Sequence, residues 1–118
     1  MKYLCLVYGE ETAVTGLSPE DGRTLTRDSL AYDQELAKKG HLIEAQALQS
    51  VRTAKTVRVR HKKVQTTDGP FAETKEQLLG FVYIEAADEQ QALTIAAGIP
   101  LAKLGSIEVR AIMSIDDE

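Results

Sequence analysis

Two runs, Tyr3-Leu4-Cys5-Leu6-Val7-Tyr8 and Leu79-Gly80-Phe81-Val82-Tyr83-Ile84, carry no charge and are apolar on both parities. Side chains alternate across a strand, so such a run predicts a strand that leaves water on both faces. In the first, Tyr3, Cys5 and Val7 share one face and Leu4, Leu6 and Tyr8 the other. Elsewhere the pattern is mixed. Residues 42–48 predict a strand with Ile43, Ala45 and Ala47 opposite Leu42, Glu44, Gln46 and Leu48. Thr56-Val57-Arg58-Val59-Arg60 alternates strictly, and His61-Lys62-Lys63 turns it into a second strand from Val64 to Thr67. This is the signature of a projecting hairpin with one wet face. A last strand, Ile107 to Ile112, sets Ile107, Val109 and Ala111 against Glu108, Arg110 and Ile112.

Helical spacing appears twice. Ser18 caps the first helix, Pro19 suits its first position, and Glu20 and Asp21 favour the positive end of the helix dipole. Leu25, Tyr32 and Leu36 form its apolar stripe, and Lys38, Lys39 and Gly40 close it. The second begins at Asp88 with Gln91 placed for a capping box, buries Ala92, Ile95, Ala96 and Ile99, and ends at Gly98 and Pro100. Residues 9–17 read as a loop.

The order is strand, helix, strand, hairpin, strand, helix, strand. Two βαβ halves predict a ferredoxin-like α+β domain, an antiparallel sheet with both helices on one face and the hairpin inserted. The other face then has no cover from within the chain, although residues 3–8 and 79–84 put large apolar groups on it. A monomer rarely exposes so much apolar surface, so a homodimer packed sheet against sheet is expected.

Composition changes this picture little. At 118 residues, 43% hydrophobic and 27% charged, the chain fits one domain over residues 1–118. No apolar stretch approaches the ~18 residues that span a bilayer, and the N-terminus leads into a strand without a cleavage pattern, so the default location is cytoplasmic. The lone Cys5 lies in an apolar run, where a free thiol acts as a small hydrophobe. A net charge of −4 argues against nucleic acid as a partner. The cations Arg52, Lys55, Arg58, Arg60, Lys62 and Lys63 do cluster where no acid intervenes between Glu44 and Asp68, while acid gathers elsewhere, as in Asp116-Asp117-Glu118. Without interleaved aromatics they fit protection of an exposed hairpin edge better than base stacking.

The most specific stretch is Asp68-Gly69-Pro70-Phe71-Ala72-Glu73-Thr74-Lys75-Glu76. With Met1-Lys2-Tyr3, Tyr8-Gly9, Val57-Arg58-Val59-Arg60, Gly80-Phe81, Ile99-Pro100 and Gly105-Ser106-Ile107-Glu108-Val109-Arg110, it resembles the DGPF branch of the YCII-related proteins over nearly the whole chain. The resemblance implies a dimeric α+β barrel with a cleft between sheet and helices. The wider group carries a His on the first helix and an Asp before the last strand as a proposed acid/base pair. Those positions fall here on Ser29 and near Ile99-Pro100, which have no such proton chemistry.

The candidate site residues each carry two readings. Asp68 either accepts backbone N–H bonds in its turn or, raised in pKa by a cleft, serves as general acid/base. Phe71 is expected to plug the core. Glu73, with Lys75 and Glu76, either rims a cleft or forms a solvated charged face. Arg110 either pairs with Glu108 on the final strand or clamps an anionic ligand. Tyr8, Tyr32 and Tyr83 are expected near one another where sheet meets helix, packing or walling a pocket for a planar small molecule. His41 and His61 are too scattered for a metal site, and no cofactor fingerprint is present. The reading that follows is a small dimeric module that binds a small molecule or regulates; the alternative is an enzyme for a small organic acid or aromatic, with Asp68 as general acid/base.

Overall fold

The computed structural model describes residues 1–114, so the acidic Asp116-Asp117-Glu118 end lies outside the described residues. Strand β1 (Lys2–Gly9) is followed by a short helix α1 (Glu11–Thr15), a long helix α2 (Pro19–Lys38) and strand β2 (Leu42–Ala47). The inserted hairpin is β3 (Lys55–Arg60) and β4 (Lys63–Asp68). Strand β5 (Gln77–Glu85), helix α3 (Glu89–Ala97) and strand β6 (Ser106–Ala111) complete the chain, with single 3-10 turns at Val51–Thr53 and Pro100–Lys103.

The main sheet runs β2-β5-β1-β6 with every neighbouring pair antiparallel, the ferredoxin-like order of an α+β domain. Its core lies on one face. Tyr3, Cys5 and Val7 from β1 and Val82 and Ile84 from β5 are buried against Leu36 of α2 and Ala92, Ile95 and Ala96 of α3. Both helices therefore cover the same face. The caps form as the residue types require: the Ser18 hydroxyl accepts the Asp21 N–H, and the Asp88 carboxylate accepts the Gln91 N–H. Cys5 is fully buried, and burial pushes its thiol up to about 11, which makes it inert at neutral pH.

Three expectations need correction. Residues 11–15 are helical rather than loop, because the Glu10 carbonyl accepts the Ala13 and Val14 N–H groups and the Glu11 carboxylate is tied across the molecule. It accepts the Val51 N–H at 2.6 Å and the Ser50 hydroxyl at 2.8 Å, and these bonds hold it below the usual carboxylate range. In β2 a register shift between Leu42 and Glu44 bulges Ile43 outward, so Leu42 rather than Ile43 shares the inner face with Ala45. Phe71 does not plug the core. It is 81% exposed, with the Arg58 guanidinium 5.7 Å over its ring.

The hairpin forms a separate two-stranded sheet. Its turn is the tight two-residue kind that needs left-handed backbone at both central positions, here His61 (φ 51°) and Lys62 (φ 66°). The radius of gyration is 16.3 Å, against roughly 13–14 Å for a spherical domain of this length, as befits a projecting arm. One side carries Val57, Val59 and Val64, all exposed, and the other carries Arg58 over the Phe71 ring.

Candidate functional site

Helix α2 touches the core firmly only near its end, where Leu36 is its one buried residue. Toward its start it stands off the sheet. The gap is a cavity of about 540 Å³. Its floor is Val7, Ala45, Gly80 and Val82 of the sheet, with Leu79, Ile99, Pro100 and Leu101 closing one end. Leu30 and Leu48, both exposed, stand at its mouth. A depression of about 590 Å³ also lies along the outside of α2 between Pro19, Gly22, Arg23, Thr26, Arg27 and Leu30, but one helix supplies all its walls and nothing encloses it.

The cleft's polar groups come mainly from α2. Thr26, Ser29 and Asp33 line it, and among the described residues Asp33 is the one charged member of the lining. Ser29 and Asp33 are four apart and so share a helix face. Asp33 is half-buried, and the apolar surroundings raise its carboxyl above the ordinary range. Tyr32 also lines the cleft, but its hydroxyl is already committed, donating to the Ile95 carbonyl at 2.7 Å. Burial, then the negative charge of Glu35, pushes its pKa up.

Asp33 leaves a signature in stability. Unfolded, its carboxyl titrates in the ordinary range, whereas folded it holds its proton to higher pH. Between the two values the native state carries more protons, so Asp33 lowers stability as pH rises through that window. Asp33→Asn is therefore expected to be more stable than the parent at neutral pH, by under ~1 kcal/mol given the solvent still reaching the group. The gain should vanish as pH falls through the ordinary carboxylate range. Paired melts of the two proteins at each pH isolate it from Glu11 and Glu85, whose lowered values act in the opposite direction.

The family resemblance puts an acid/base pair at Ser29 and near Ile99-Pro100, and all three residues line this cleft. Comparison with known proteins agrees: the YCII-related domain matches residues 1–116. The chain belongs to the YCII-related family. A relative from Rhizobium meliloti (strain 1021), itself an uncharacterized protein, is 37% identical over 112 residues, covering 93% of this chain and 90% of its own length. It assigns no reaction to this YCII-related chain.

The other sequence candidates scatter. Of Asp68, Tyr8, Tyr32, Phe71, Glu73, Tyr83 and Arg110, only Tyr32 lines the cleft. Tyr8 and Tyr83 are not beside it, because they lie on the parity opposite to the buried Tyr3, Cys5, Val82 and Ile84, and so on the sheet's far face. Arg110 shares that face, paired with Glu108 at 2.7 Å. Asp68 points to solvent at the base of the arm and pairs with Lys55 Nζ at 2.5 Å, making no cap to its own turn. Glu73 is exposed, while Glu76 accepts the Ser106 hydroxyl at 2.8 Å. His41 Nδ1 sits 2.9 Å from the Glu85 carbonyl, and His61 occupies the hairpin turn. Among the described residues no cluster of potential ligands is arranged to hold a metal ion, and no helix is long and apolar enough to cross a membrane.

Asp33 escaped the sequence reading. Its signal was present as an acid on the inward stripe of α2, one turn after Ser29 and three residues before Leu36.

Proposed function

We propose that this YCII-related protein is a homodimeric module that binds a small molecule in the cleft between α2 and the sheet. The observation that carries the reading is the cavity itself, about 540 Å³, mostly apolar on the sheet side and supplied with polar groups mainly by one helix. That volume and that mixture of walls are usual for small-ligand sites. Binding is favoured over turnover because the acid/base positions are Ser29 and Ile99-Pro100, and because the Tyr32 hydroxyl is occupied. Asp68 takes no part in the single chain's cleft.

The test uses 2-phenylethanol, a neutral probe small enough for the cavity, titrated calorimetrically into the protein. Saturable binding at one site per chain is expected, with a rise in melting temperature. Ala47→Trp, on the inner face of an edge strand, should fill the cleft and abolish binding while the circular dichroism spectrum stays unchanged. Binding that survives in this variant would place the site elsewhere and sink the reading.

A further inference from the structure

We infer that the cleft selects a small apolar molecule carrying a single cationic amine, with Asp33 as its counter-ion. This rests on the cleft reading above and adds the chemistry of the ligand. Around Asp33 every element contributes uncharged lining: Val7 from β1, Ala45 and Ala47 from β2, Gly80 and Val82 from β5, and Ile99 to Leu101 from the turn before β6. From α2 itself the lining adds Leu25, Thr26, Ser29, Leu30 and Tyr32. Among the described lining residues Tyr32 is the other titratable group, and its hydroxyl donates to the Ile95 carbonyl. Arg23 and Arg27 face the outer depression, with Arg27 beside Asp28 at 3.7 Å. No described cation or hydrogen-bond donor meets the Asp33 carboxylate.

A half-buried carboxylate without a partner repels anions and gains most from a ligand that brings its own positive charge. The Ser29 hydroxyl, one turn earlier on the same face, offers a second acceptor to an ammonium group. The remaining walls would take the hydrocarbon part. An anion would meet Asp33 with no compensating cation, so small organic acids are the poorest fit.

The experiment compares three probes that share a phenylethyl group and differ in head group, 2-phenylethylamine, 2-phenylethanol and 3-phenylpropionate, by calorimetry at neutral pH. The amine should bind about tenfold tighter than the alcohol, the gain expected of one charge-assisted contact, and the carboxylate weakest. In Asp33→Asn the amine-to-alcohol ratio should fall to near one. An amine bound no tighter than the alcohol, or a preference that persists in Asp33→Asn, overturns the amine inference while leaving the cleft reading intact. Failure of all three probes to bind overturns both. Tighter binding of the alcohol would mean that Asp33 acts as a neutral hydrogen-bond donor, and it too overturns the inference.

Discussion

Gly105→Ala is expected to destabilise the protein by about 3 kcal/mol or more, at the upper end of what overpacking costs, lowering its melting temperature by roughly 10–15 °C. Gly105 lies just before β6, where the chain passes over the end of β1. A Cβ there would come 2.0 Å from the Tyr8 carbonyl oxygen and 3.0 Å from Gly9 Cα. These are backbone atoms, and no rotamer change can move them aside. The strands would have to part where Tyr8 pairs with Ser106. Gly80 obeys the same logic, with a Cβ 2.5 Å from the Gln46 carbonyl. Gly22 supplies the contrast. It lies inside α2 with nothing within 4 Å of a built Cβ, so Gly22→Ala should stabilise by up to ~1 kcal/mol. Thermal melts of Gly105→Ala and Gly22→Ala should therefore move in opposite directions. Equal, small shifts would show that β1 and β6 are not packed as closely as described.

β1 and β5 were legible because both parities are apolar, and α2 because Ser18, Pro19 and Gly40 punctuate it. The ferredoxin-like order follows from the succession of elements. What the pattern did not contain was which face the helices cover. Tyr3 and Leu4 are equally good core residues by alternation alone, so alternation cannot tell that Tyr8 and Tyr83 sit on the reverse of the sheet, away from Tyr32. Short elements held by distant partners were also invisible: α1 has five residues, too few for periodicity, and depends on Glu11 reaching Ser50 and Val51. Phe71 misled because an aromatic after a rigid turn usually packs inward, whereas here it lies beneath Arg58 on a projecting arm. The family resemblance implies the cleft, but Asp33, the one charge among its described lining residues, is hidden in the sequence by the apolar stripe around it.

The sheet's far face raises a question of assembly. Leu4, Leu6, Tyr8, Phe81 and Tyr83 lie across the two central strands, only half-buried, with Glu44 and Gln46 along one edge and Glu108 and Arg110 along the other. An apolar strip with a polar rim is the usual anatomy of a subunit interface. The arm adds Val57, Val59 and Val64, exposed by 60, 58 and 70%. Sedimentation at micromolar concentration is expected to give twice the chain mass of 12.9 kDa. Leu6→Asp, at the centre of the strip opposite Phe81 and Glu108, is the decisive variant. In a two-fold dimer one substitution introduces two carboxylates into one interface. Each lacks a counter-ion, a cost of ~3–5 kcal/mol per unpaired buried charge, so association should weaken until the variant sediments as single chains across the micromolar range. If the protein were monomeric, the same change would fall on a half-exposed surface position and alter little beyond ~0.5 kcal/mol of stability. The parent and Leu6→Asp sedimenting alike as single chains would refute the dimer, and with it any role of the arm valines in holding a second copy.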